Sequence, residues 1–169
     1  MLLLIRGRAG SLARVAAGLP VPSRVLRVEF AVHAHATEDV DKVLQALMNI
    51  VPEELRGRLQ AEKVTVEGHY SNPITRITAR LEGRDAEEFL RRLAERLGEQ
   101  DRRILRFMLE SRYDEKSGRF YLRLGKQDAY LGEVRFVDGD DVIQMVIVLR
   151  GSPRLEKALK LLEELGLLG

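Results

Sequence analysis

The residues most able to do chemistry here are a lysine–glutamine pair, three histidines and two groups of carboxylates. Lys126-Gln127 interrupts a strand-like stretch. Lysine supplies a point charge suited to phosphate, and glutamine an amide that can read a base edge. The polar segment 125–131 spends seven residues where a tight turn would need two, and extended loops often carry function. His33 and His35 stand two apart, so an extended strand points both rings to one side. With His69 they could form a three-histidine metal site. No carboxylate of evident proximity completes such a site, and polar surface or RNA contact is the preferred reading. Glu38, Asp39 and Asp41 fall in the first turn of an expected helix, where the dipole explains carboxylates without catalysis. Asp138, Asp140 and Asp141 surround Gly139, and turn chemistry accounts for them. No glycine-rich phosphate loop, nucleophile elbow or paired-histidine zinc motif occurs. Gly118-Arg119-Phe120-Tyr121-Leu122 does not fit the signature strand of an RNA-recognition motif. With no cysteine in the chain, disulfides, thiolate metal sites and a cysteine nucleophile are excluded.

These side chains need a scaffold, and 169 residues suffice for one domain with a substantial core. Hydrophobic residues make up 45% and charged residues 32%, which argues against disorder. Aromatics are only 5%, so the core must be mostly aliphatic. A net charge of +2 and a pI of about 9.0 are mild, so any nucleic-acid site must come from local clustering. The apolar start Met1–Ile5 is broken by Arg6, Arg8 and Arg14, and no run of 18 apolar residues follows. Residues 1–23 are expected to be an arm or extension, and 24–169 a single α+β domain.

Residues 24–36 alternate, with Val28, Phe30, Val32 and Ala34 on one side and Arg27, Glu29, His33 and His35 on the other. Thr37 is expected to cap a helix carrying Val40, Val43, Leu44, Leu47 and Met48. Strands near 63–67 and 74–82 form a hairpin around a Gly-, Asn- and Pro-containing loop. A helix opening at Gly83 ends at Gly98, and another spans 100–112. Arg119–Leu124 alternates, Val134 and Phe136 resume that pattern, and Val142–Leu149 reads as an interior strand. Ser152 and Pro153 are expected to start the last helix.

The fold expectation is α+β, two-layer, with a mainly antiparallel sheet and helices packed on one face. The other face then carries Arg27, His33, Lys63, Arg76, Arg80, Tyr121, Arg123 and Arg135. A solvated cationic sheet with a tyrosine suits phosphates and stacked single-stranded bases.

Several stretches together carry a family resemblance. They are Thr37-Glu38-Asp39 with Lys42-Val43, Glu67-Gly68-His69-Tyr70-Ser71-Asn72-Pro73-Ile74, Tyr121-Leu122-Arg123 with Lys126-Gln127, Ala129-Tyr130-Leu131-Gly132, and Asp141-Val142-Ile143. In order and spacing they resemble an archaeal family of predicted RNA-binding proteins, also described as predicted exosome subunits. The likeness covers about 25–150. It departs at Gly125, where a polar residue is expected, and at Ser71, where glycine is expected. The resemblance implies a fold similar to the fifth large-subunit ribosomal protein, and a role in RNA metabolism.

The resulting expectation is a non-enzymatic, cytoplasmic RNA-binding protein linked to archaeal RNA processing, with exosome- or ribosome-associated partners and no cofactor, metal or membrane. Lys126, Arg123, Arg80 and Arg76 would neutralise phosphate. Tyr121 and Tyr70 would stack, and Gln127, His33, His35 and His69 would complete the contacts. The alternative is an adaptor or homodimer that buries the sheet face, with Val146 and Val148 at its centre. A metal-dependent nuclease using the aspartates or histidines is a third reading.

Overall fold

A strand buried on one side needs apolar side chains at every second position, and this chain supplies them repeatedly. The computed structural model describes residues 22–68, 70 and 72–168. Among them, six strands form one sheet, in the order β2-β3-β1-β6-β5-β4. β1 is Val25–Ala34, β2 Gln60–Glu67, β3 Pro73–Glu82, β4 Tyr113–Asp114, β5 Arg119–Gly125 and β6 Val142–Leu149. Every pairing is antiparallel. The helices are α1 Val40–Ile50, α2 Glu53–Arg56, α3 Gly83–Glu95, α4 Glu99–Arg112, α5 Lys126–Tyr130 and α6 Leu155–Glu164. This is the expected α+β arrangement, an open sheet with helices packed on it.

The core lies between the sheet and the helices. Val28, Phe30 and Val32 of β1, Ile77 and Leu81 of β3, Phe120 and Leu122 of β5, and Met145 and Ile147 of β6 point into it. From the helices come Leu47 and Ile50, Phe89 and Leu93, Leu105 and Leu109, and Leu162. Phe30 and Phe89 meet edge to face, with centroids 5.4 Å apart and planes at 85°, which welds α3 to β1. Among the described residues, no helix is long and apolar enough to cross a membrane.

Local chemistry shifts several expected boundaries. Asp39, not Thr37, caps α1: its side chain accepts the Asp41 N–H. Gly98 caps the start of α4, while α3 already ends at Glu95 with Arg96 as its C-cap. α6 starts after Arg154, and Ser152 instead takes φ +45° in the turn before it. The free N–H of Leu155 goes to the Glu115 carboxylate at 2.7 Å. Residues 126–130 coil into a short helix where a polar turn was expected. Val134 and Phe136 form no strand; Phe136 makes one isolated bridge to Leu124. β6 is interior between β1 and β5, yet only one of its faces is sealed: Gln144 is exposed and Val146 half-buried. Ile104 on α4 is 39% exposed. Residues 1–21 of the expected arm lie outside the described residues.

Gly118 shows why one turn needs glycine. Its φ is +70°, and a Cβ there would stand 2.8 Å from the Leu149 carbonyl oxygen.

Phe89→Ala leaves Phe30 without its aromatic neighbour at the centre of the core. It is expected to cost about 3–5 kcal/mol, read as a lower urea midpoint with an unchanged slope.

Candidate nucleic-acid interface

Strand register decides which side chains share the uncovered face. Arg27 of β1 lies opposite Glu82 of β3 and Val148 of β6, and Val148 lies opposite Arg119 of β5. The next row runs Gln60, Arg80, Glu29, Val146, Tyr121. The third runs Glu62, Thr78, Ala31, Gln144, Arg123, and beyond it stand Val64, Arg76 and His33. A basin of about 430 Å³ lies on this face. Ala31 and Val146 are among its apolar lining, and its polar lining is mixed in charge: Glu29 and Glu62 with Arg76 and Arg80, beside Gln60, Thr78 and Gln144.

The charge is mixed. Glu29 accepts from Arg27 Nε at 2.5 Å and from Arg119 Nη1 at 2.9 Å. Burial pushes its carboxyl up, but the two guanidinium contacts outweigh burial and hold it below its ordinary value. Arg80 donates to Gln60 at 3.1 Å and lies 3.5 Å from Glu82. Arg76 and Arg123 have no carboxylate partner among the described residues. Arg76 stands 3.4 Å from His33 Nε2, and Arg123 donates to the Gly139 carbonyl at 3.2 Å. Partial burial, then the Arg76 charge, pushes His33 below its ordinary value, so its ring is mainly neutral near pH 7. Tyr121 is 45% exposed at the β5 end of its row, a ring available for stacking.

Lys126 requires a correction. It is only 4% exposed. Its ammonium donates to the His33 carbonyl at 2.8 Å, Glu38 Oε1 at 3.1 Å and Asp141 Oδ1 at 2.6 Å. Those contacts occupy its three donors, so it has none left for phosphate. It ties the end of β1, the approach to α1 and the start of β6 to α5. The quoted stretches 37–39, 126–127 and 141–143 therefore converge on one ion-pair knot. Gly125, the departure from the family pattern, fits beside it: a Cβ there would fall 2.1 Å from the Asp128 carboxylate, which occupies the room of a side chain.

The remaining expected residues scatter. Gln127 is exposed on α5, beside a shallow hollow that Lys42, Lys126 and Tyr130 also line. His35 is exposed. Its ring and the Glu38 and Asp141 carboxylates offer ligand atoms within 4.8 Å of one another. Lys126 already bonds both carboxylates, so a resident cation answers for their proximity. Asp138 pairs with Arg112 and does not join Asp141. Tyr70 is 95% exposed at the β2–β3 connection with φ +56°. His69 lies outside the described residues. Lys63 lies opposite Ile77 and faces away from Arg76 and Arg80, while Arg135 lies outside the sheet. Gln144 and Arg119 also stand on this face and were not among the expected site residues. Gln144 was visible as the one polar side chain in an apolar strand, whereas the bond from Arg119 to Glu29 spans 90 residues.

A family model described as RNA binding matches residues 27–149. An RNA-binding protein of Pyrococcus abyssi is 40% identical over 126 residues, covering 73% of this chain and 81% of that protein. An uncharacterised protein of Methanocaldococcus jannaschii is 34% identical over 120 residues, covering 70% and 80%. A solved DUF54 protein of Methanothermobacter thermautotrophicus superimposes with a TM-score of 0.66 at 31% identity, over 83% of this chain and 97% of that one.

Lys126→Met would leave Glu38 and Asp141 facing each other without their shared cation. It is expected to cost about 2 kcal/mol, the exposure of Asp141 limiting the penalty. Chemical denaturation measures it, and Glu38→Gln should cost less, since Asp141 still pairs with the lysine.

Proposed function

The chain belongs to the RNA-binding family, and from that premise we propose that it binds single-stranded RNA, without catalysis, on the open face of its sheet. The observation that supports this reading is the one-sided sheet: an uncovered basin bordered by Arg76 and Arg80, with Gln144 in its lining and Tyr121 in a neighbouring position. Arg76, Arg80 and Arg123 take phosphates as charged donors. Tyr121 stacks a base, and Gln144 with Thr78 meets base edges. His33, neutral near pH 7, adds a hydrogen bond and gains charge as the pH falls. Tyr70 and His35 lie at the margins of this track, and Gln127 near its end. Lys126 holds the local frame and makes no phosphate contact. A duplex suits the basin poorly, because its bases are stacked inward and its sequence edges are recessed.

The proposal extends to an association with archaeal RNA-processing machinery in the cytoplasm, through exosome- or ribosome-associated proteins, and to a fold like that of the fifth large-subunit ribosomal protein. The motif resemblance in 37–43, 67–74, 121–132 and 141–143 supports both. The adaptor reading, which put Val146 and Val148 at its centre, finds little apolar surface there: Val148 is 4% exposed between Arg27 and Arg119, and Val146 is half-buried, so the exposed valines of this face, Val64 and Val66, lie out on β2.

Filter binding of a single-stranded RNA across a salt series tests the RNA reading. Affinity is expected to fall with salt. Arg76→Ala with Arg80→Ala should lower it about tenfold and reduce the salt slope by about one to two. Tyr121→Ala should cost about 1–3 kcal/mol with the slope unchanged. Affinity independent of salt, or unaltered in these variants, would count against the open face.

A further inference from the structure

β2 closes one end of the sheet. Its eight residues pair with β3 on one side only, and every one of them is exposed. Val64 and Val66 are each 52% exposed. The register with β3 runs without a bulge from Gln60 to Glu67, and the strand contains no proline. A long, regular, valine-bearing edge is the kind that soluble proteins usually blunt or cover, because its free N–H and C=O groups template another strand.

The ladder shows which groups are free. Gly68 donates to the Asn72 carbonyl at 2.6 Å, and Pro73, opposite Glu67, has no N–H to give. Antiparallel pairs alternate between bonded and non-bonded, so the bonded pairs are Val66 with Ile74, Val64 with Arg76 and Glu62 with Thr78. The N–H and C=O groups of Lys63, Thr65 and Glu67 therefore turn toward the free side.

We propose that this edge pairs with the same edge of a second copy of this chain, antiparallel, about a two-fold axis at Thr65. A continuous sheet requires residues of one face to lie opposite residues of that same face, which restricts the choice of axis. An axis at Lys63 sets that lysine against itself. An axis at Val64 sets Glu62 against Val66 of the second copy. The axis at Thr65 sets Lys63 against Glu67, Val64 against Val66 and Thr65 against Thr65, and symmetry repeats the first two pairs. Opposite charges and β-branched pairs facing across strands favour pairing, and like charges oppose it. The edge is thus self-complementary in the register centred on Thr65, as an isologous interface requires. Joining two sheets this way keeps both open faces on the same side, so the RNA surface is left free and doubled. The pairing does not depend on the RNA reading.

Sedimentation equilibrium of the full chain without RNA, across about 1–100 μM, tests it. The expected result is the mass of two chains at the upper concentrations. Lys63→Glu and Glu67→Lys should each weaken the dimer at least about tenfold, because each places two like-charge pairs across the axis. The double variant K63E/E67K restores both ion pairs with their signs exchanged and should recover the original dissociation constant within about threefold. Thr65→Pro removes an outward N–H and should also dissociate the dimer. Circular dichroism of each variant separates lost pairing from lost folding. A one-chain mass at every concentration would overturn the proposal. So would a dimer indifferent to the single charge changes, or a double variant as dissociated as the single ones.

Discussion

One constraint governs the molecule: its sheet is sealed by helices on one face only. The strands beneath the helices, β1, β3, β5 and β6, must therefore suit two environments at successive residues. β1 does so in the core of the sheet, sending Val28, Phe30 and Val32 to the helices and Arg27, Glu29 and His33 to the other side. A one-residue slip would turn a carboxylate, a guanidinium and an imidazole toward the helices, against Phe89. The register that buries Phe30 is thus the register that aligns Arg80, Glu29, Val146 and Tyr121 across the open face. Stability and surface chemistry are fixed by the same pairing.

Charge is used in two ways. At Lys126 it is internal: one ammonium satisfies two carboxylates and a carbonyl, joining segments about ninety positions apart in sequence. Such a group is costly to bury and costlier to leave unpaired, which makes it a structural tie. On the open face, charge is partly balanced. Glu29 pairs with both Arg27 and Arg119, offsets one of their two charges and fixes their positions, while Arg76 and Arg123 carry no acid partner among the described residues. The face is therefore a short cationic track within a mixed surface, in keeping with the chain's small net charge.

The alternating strands and the amphipathic helices were legible in the sequence because each has a period. The five-residue α5 was not, since it is shorter than two turns and offers no period to read. Asp39 and Thr37 are both accepted cap types, Asp the better of the two, and the path of the chain after β1 puts Asp39 at the cap. The start of β2 was obscured because an edge strand exposed along its whole length buries nothing and so loses its alternation. Lys126 was read as a free charge because its partners lie 88 and 15 residues away. The resemblance located the right stretches, but it was the fold that showed three of them to be one knot. Lys63 was misassigned for a simpler reason. Strand parity, which pairs it with Ile77, becomes visible only once the hairpin register is known.

Arginine modification reports most directly on whether RNA meets the open face. The full chain, with and without saturating single-stranded RNA, is treated with phenylglyoxal and each arginine is followed by mass spectrometry. The account predicts protection of Arg76, Arg80 and Arg123, with Arg91 and Arg103 on the helical side reacting equally in both samples. Protection of Arg91 and Arg103 with Arg76 and Arg80 still reactive would contradict it.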